Sequence, residues 1–150
     1  MTKRLEDEAF MLEAIEEALK SDPERTSPNP RVGSVIVENG KIVSRGRFEY
    51  DGGPHAECNA LASLGRKPND GATVYVTLEP CSTHGRTGAC TEAIIEAGVD
   101  RVAIGAVDPT PSHRGNGMAA LRSAGIEVVE NVLNEECEAI NPGFSGRETG

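Results

Sequence analysis

The stretch from Gly52 to Cys90 constrains this chain more than any other. It reads GGPHAECNALASLGRKPNDGATVYVTLEPCSTHGRTGAC, with His-Ala-Glu at 55–57, Glu-Pro-Cys at 79–81 and a further cysteine at 90. One imidazole and two thiolates make a three-ligand set of the kind that holds Zn²⁺ and leaves a fourth position for water. Glu57 stands beside the first ligand without being needed as one, and a carboxylate is the group that would shuttle that water's protons. The geometry is demanding. Residues two apart on a helix point about 200° apart, so His55 and Glu57 cannot share an ordinary helix face. They converge on one metal only if it lies at the helix N-terminus. Cys90 precedes Thr91-Glu92-Ala93-Ile94-Ile95, a helical pattern, and a thiolate at a helix start is favoured by the dipole and the free N–H groups. Two helix N-termini directed at one zinc ion are therefore expected.

Each fragment alone has a plainer reading. His-Ala-Glu could be a solvated helix start, and Cys81 with Cys90 could be a buried pair, or a disulfide in an exported protein. The three together, in this order and with proline before the first cysteine, favour the metal. Cys58 and Cys137 read as ordinary packed or surface thiols.

The rest of the composition narrows the class. A chain of 150 residues, 37% hydrophobic and 26% charged, is expected to form one domain, 1–150, with a core of its own. No apolar run approaches the ~20 residues that span a bilayer, and the acidic N-terminus is neither a signal nor a transit peptide. With two of the four cysteines assigned to metal, a reducing cytoplasm is the expected location. A net charge of −9 argues against nucleic acid as a partner and leaves room for a small phosphorylated molecule in a local basic pocket.

Apolar residues Met11, Leu12, Ile15, Ala18 and Leu19 predict a helix over 6–20, with Asp7 as its N-cap and Ser21-Asp22-Pro23 as its end. Residues 21–30 read as loop. Residues 32–38 and 41–46 read as strands joined at Asn39-Gly40, a strong hairpin signal. A helix over 55–64 follows, then a buried strand over 72–78 that delivers Cys81. Helix 91–97, strand 101–107, helix 118–124, strand 126–129 and helix 134–140 complete the order αββαβαβαβα. The hairpin supplies an antiparallel pair, and the later alternation of strands and helices implies parallel pairing.

The pattern His-x-Glu, then Pro-Cys, then Cys resembles the signature of zinc-dependent nucleobase deaminases. Those enzymes replace an exocyclic ring amine by oxygen, which needs hydroxide at neutral pH, and zinc supplies it by lowering the pKa of its water to ~7. The resemblance extends further. Pro28-Asn29-Pro30-Arg31-Val32-Gly33, Pro54-His55-Ala56-Glu57, the run from Gly71 to Ser82, Gly85-Arg86-Thr87 and Asp108-Pro109 closely resemble the deaminase domain of the bacterial riboflavin-biosynthesis deaminase/reductase family. That resemblance implies a three-layer α-β-α cytidine-deaminase-like fold around a mixed five-stranded sheet. It implies hydrolysis of 2,5-diamino-6-ribosylamino-4(3H)-pyrimidinone 5′-phosphate, zinc held by His55, Cys81 and Cys90, and Glu57 as proton shuttle. It also implies substrate contacts from Asn29, Ala56, His84, Arg86, Thr87 and Asp108, and a homodimer or higher homo-oligomer. No reductase segment follows Phe144 in the sequence, so nicotinamide chemistry is not expected.

Departures from that family fall where substrate is chosen. Phe48 and Thr83 stand where the family usually has His, Gly88-Ala89 where it has Pro-Pro, Thr110 where it has Asn, and Asn116 where it has a basic residue. Two alternatives therefore stay open: a deaminase of another nucleobase, nucleoside or nucleotide on the same fold, and a catalytically silent zinc-stabilised subunit. Glu57 argues against the second, since a structural zinc is closed by a fourth protein ligand.

Overall fold

A computed structural model describes residues 3–82, 89–110 and 113–144. The chain begins with helix α1 (Lys3–Leu19) and a single turn α2 (Pro23–Thr26). Strands β1 (Gly33–Glu38) and β2 (Lys41–Arg47) form the hairpin, and α3 (Ala56–Leu64) leads to β3 (Thr73–Leu78). Helix α4 (Cys90–Ala97), β4 (Arg101–Ala106), α5 (Asn116–Ser123), β5 (Glu127–Val129) and α6 (Asn134–Glu138) complete it. The strands lie in the order β2-β1-β3-β4-β5. β1 pairs antiparallel with both β2 and β3, while β3–β4 and β4–β5 are parallel.

Burial follows from that order. Every residue of β1, β3 and β4 is buried, as expected of central strands covered on both faces. The edge strand β2 exposes alternate residues. One sheet face meets α1 and α6: a side chain at Gly33 would strike the α1 backbone at Ala14, and one at Gly105 would strike Cys137 of α6. The other face meets α3, which packs on β2 and β1 and touches α4. The hairpin forms where Asn39-Gly40 predicts it, with both residues at positive φ (51° and 75°), the requirement of a type I′ turn.

Two expectations are corrected. Asp7 does not cap a helix. It lies one turn inside α1, is buried, and accepts both guanidinium N–H groups of Arg101 at 2.7 and 2.6 Å and the Tyr75 hydroxyl at 2.6 Å. The helix begins earlier, at Lys3, and this carboxylate is held by residues of β3 and β4. Residues 21–30 are not all loop, since Asp22 accepts the Glu24 N–H and caps the α2 turn.

The α3 helix sits unusually close to the hairpin. A Cβ on Gly46 would collide with backbone atoms of Ala56 and Ala60, and the Ser44 hydroxyl donates to the Ala60 carbonyl at 2.5 Å. This approach sets the height of the helix that starts at His55. Among the described residues, no helix is long and apolar enough to cross a membrane.

Candidate metal centre

His55 is the N-cap of α3, extended at φ −75° and ψ 166°, so its imidazole reaches beyond the helix start. Cys90 is the first residue of α4. Cys81 lies just past β3, and its Sγ accepts the Cys90 backbone N–H at 3.3 Å. Two helix N-termini and one strand end therefore meet. His55 Nδ1 is 2.9 Å from Cys90 Sγ and 3.6 Å from Cys81 Sγ, and the three donor atoms lie within 4.8 Å of one another.

Zinc at Zn–S ~2.3 Å and Zn–N ~2.0–2.1 Å with tetrahedral angles separates nitrogen from sulfur by about 3.6 Å. The Cys81–His55 spacing matches that value, and the Cys90–His55 spacing falls somewhat short of it. The donor set, one imidazole nitrogen and two thiols, is the borderline-soft combination zinc selects. The residues fit the ion.

The electrostatics already favour a thiolate. A hydrogen bond from the Cys90 thiol, opposed by burial and aided by His55 and the Cys90 N–H, holds the Cys81 thiol down to about 4. Cys90 is pushed up by its hydrogen bonds with Cys58 and Cys81 and by burial. Zinc binding would displace the remaining proton, since metal-ligating cysteines are deprotonated.

Glu57 lies in the first turn of α3 and is 3% exposed. It lines, with His55 and Cys81, an open recess. The remaining wall is mostly apolar, from Pro30, Val32, Phe48 and Leu78, with Asn29 and Glu79 as its other polar members. Phe48 stands edge-on to the His55 ring, with centroids 5.6 Å apart and planes at 83°.

The other expected contacts scatter. Asn29 is on the recess wall. Ala56 is fully buried at the start of α3. Asp108 is buried beside Glu79, its carboxylate accepting the Thr110 N–H at 2.9 Å, and is not among the residues that line this recess. His84, Arg86 and Thr87 lie outside the described residues.

Three features escaped the sequence reading. Glu79 is 2% exposed and accepts backbone N–H groups from Asp108, Gly115 and Met118. It thus ties the turn that carries Cys81 to α5, where a side chain at Gly117 would strike the Pro80 carbonyl. Its place in Glu-Pro-Cys was the available signal. Cys58 is not an isolated thiol, since its interaction with the Cys90 thiol holds it below its ordinary value. Asn29 donates its amide N–H to Asp51 at 2.7 Å, a pairing that no sequence spacing announces.

Residues 4–106 match the family described as "Cytidine and deoxycytidylate deaminase zinc-binding region". The chain belongs to that family. Within it, the chain is 54% identical over 119 residues to "Riboflavin biosynthesis protein RibD" of Actinobacillus pleuropneumoniae, covering 79% of this chain and 31% of that protein. It is 44% identical over 143 residues to "Diaminohydroxyphosphoribosylamino-pyrimidine deaminase" of Buchnera aphidicola subsp. Acyrthosiphon pisum, covering 95% of this chain and 96% of that one. A solved structure of Acinetobacter baumannii RibD superposes with a TM-score of 0.90 at 40% identity, covering 95% of this chain and 40% of that one. The chain spans about a third of the length of the RibD relative and nearly the whole of the Buchnera protein. The cytidine-deaminase-like fold and the His-Cys-Cys zinc-binding region read from the sequence are both present.

Proposed function

We propose that the protein is a hydrolytic deaminase of diaminohydroxyphosphoribosylaminopyrimidine, exchanging a ring amine for oxygen with release of ammonia. The observation that carries this reading is the convergence of His55, Cys81 and Cys90 beside buried Glu57 at one end of the recess. The choice of substrate rests on the Buchnera relative of the same length, which bears that name.

His55, Cys81 and Cys90 would hold a zinc ion, which supplies an electrophile able to make water a nucleophile at neutral pH. Glu57 accepts a proton from the attacking water and returns protons to the ring nitrogen and the departing amine. One water is consumed and one ammonia leaves, so the carboxylate ends as it began. Pro30, Val32, Phe48 and Leu78 give a flat heterocycle an apolar slot that excludes bulk water, and Asn29 offers a polar contact at its edge. Arg86, in the segment between the two cysteines, is the cation we assign to the phosphate.

Ammonia release from the zinc-containing protein tests this against a panel: the diaminopyrimidine ribosylamine phosphate, its dephosphorylated form, cytidine, deoxycytidylate and guanine. The proposal expects the first to have the highest kcat/KM. Preference for another member would replace the substrate and keep the chemistry. No ammonia from any would leave only a zinc-stabilised, silent domain.

A further inference from the structure

Asn29 meets the recess with a side chain that can be read two ways, because its amide offers a donor at one corner and an acceptor at the other. The hydrogen bonding fixes which corner faces Asp51. Asn29 Nδ2 donates to Asp51 Oδ1 at 2.7 Å, and a carboxylate only accepts hydrogen bonds. Turning the amide over would set oxygen against oxygen. The two backbones are held as well: Asn29 N–H donates to the Thr26 carbonyl at 2.9 Å and Asp51 N–H to the Arg25 carbonyl at 2.8 Å. Asn29 Oδ1 accepts no hydrogen bond from any described residue, and Asn29 lines the recess together with His55, Glu57 and Cys81.

We infer that Asp51 is a positioning residue that locks the Asn29 amide with its carbonyl oxygen toward the recess, so that the site selects a substrate edge carrying a hydrogen-bond donor. That edge is a ring N–H, an amino group or a sugar hydroxyl. A ring nitrogen or carbonyl presented at this corner meets the Asn29 oxygen as acceptor against acceptor and is rejected, because a buried polar group without its partner costs more than the bond itself gains. Asp51 touches no reacting atom in this scheme and acts through Asn29. The inference rests on the deaminase reading above for its kinetic test, but its geometric half does not.

The experiment pairs kinetics with NMR on the zinc-containing protein. KM and kcat for the diaminopyrimidine ribosylamine phosphate are measured for Asp51→Ala, Asp51→Asn, Asn29→Ala and the double variant Asp51→Ala/Asn29→Ala. One neutral hydrogen bond is worth about three- to tenfold. Asp51→Ala should raise KM by about that factor, with kcat moving by less than about twofold. Asp51→Asn keeps the shape and can still offer a carbonyl to Asn29, so its rise should be smaller. The double variant should be no worse than Asn29→Ala, since Asp51 has nothing left to orient. Losses that multiply in the double variant overturn the inference, as does an equal fall in kcat and kcat/KM for Asp51→Ala. The side-chain amide resonances of Asn29, assigned by their loss in Asn29→Ala, need no substrate. They should move in Asp51→Ala, and unchanged resonances overturn the inference. If the wild type releases no ammonia from the named substrate, the proposed function falls, and the amide resonances alone decide the orientation.

Discussion

Replacing Glu79 by glutamine would keep its shape while removing half of what it does. The carboxylate is 2% exposed, and its Oε1 accepts the Asp108 N–H at 3.2 Å and the Gly115 N–H at 3.0 Å, while Oε2 accepts the Met118 N–H at 3.1 Å. A glutamine has one oxygen and one NH₂. With its oxygen toward Asp108 and Gly115, its NH₂ faces the Met118 N–H, donor against donor. An unsatisfied buried N–H costs about 1–3 kcal/mol, and the two surviving bonds lose their charge assistance. Glu79→Gln should therefore destabilise by about 2–3 kcal/mol, which in a chain of this length lowers Tm by about 4–12 °C. Glu79→Ala strands all three N–H groups and should cost about 3–5 kcal/mol. Urea and thermal unfolding of the zinc-containing protein measure both. A Glu79→Gln loss below about 0.5 kcal/mol, or an alanine no worse than the glutamine, would refute the claim that this carboxylate clamps the Cys81 turn to α5.

Further outcomes follow from other groups. Burial pulls the Asp7 carboxyl up, but hydrogen bonds from Arg101 and Tyr75 and the Arg101 charge outweigh it, so the group sits below its ordinary value of 3.8. Its contribution is thus complete above about pH 4 and is lost as pH falls through the depressed folded value. Asp7→Asn should flatten that acid limb in urea melts and lower stability at neutral pH, and an unchanged acid limb would exclude the linkage. Arg86→Ala should raise KM for the phosphorylated substrate by about ten- to a hundredfold and spare the dephosphorylated one; equal losses on both would remove Arg86 from the phosphate. Leu5, Leu12 and Leu19 are each about half exposed on α1, and light scattering should report a homodimer or larger, with a monomer at micromolar concentration refuting self-association.

The metal centre was legible because its members carry their own signals. A histidine, a glutamate and a Pro-Cys pair are rare in combination, and the helical patterns after His55 and Cys90 place both at helix starts. The hairpin was legible for a similar reason, since Asn39-Gly40 suits a turn that needs two positive φ values. What stayed hidden depends on partners far along the chain. Asp7 resembles an N-cap locally, and only the fold brings Arg101 and Tyr75 to it. Glu17 looks like a solvated helix residue, yet it is buried and meets Lys20, Arg45 and Arg47. Cys58 is one residue from Glu57 in sequence, but its proximity to Cys90 follows from the way α3 packs against α4. Local chemistry was readable; pairings across the sheet were not.

Metal content and one substitution together test whether a zinc ion and Glu57 carry the chemistry. Wild-type protein and Glu57→Gln, both purified without chelator, are assayed for zinc per chain and for ammonia release. One zinc is expected in each, with the rate of Glu57→Gln lower by about 10²-fold or more, because proton transfer is removed and no ligand is touched. Zinc-free wild-type protein, or a Glu57→Gln variant that keeps its zinc and turns over within a few-fold of wild type, would contradict it.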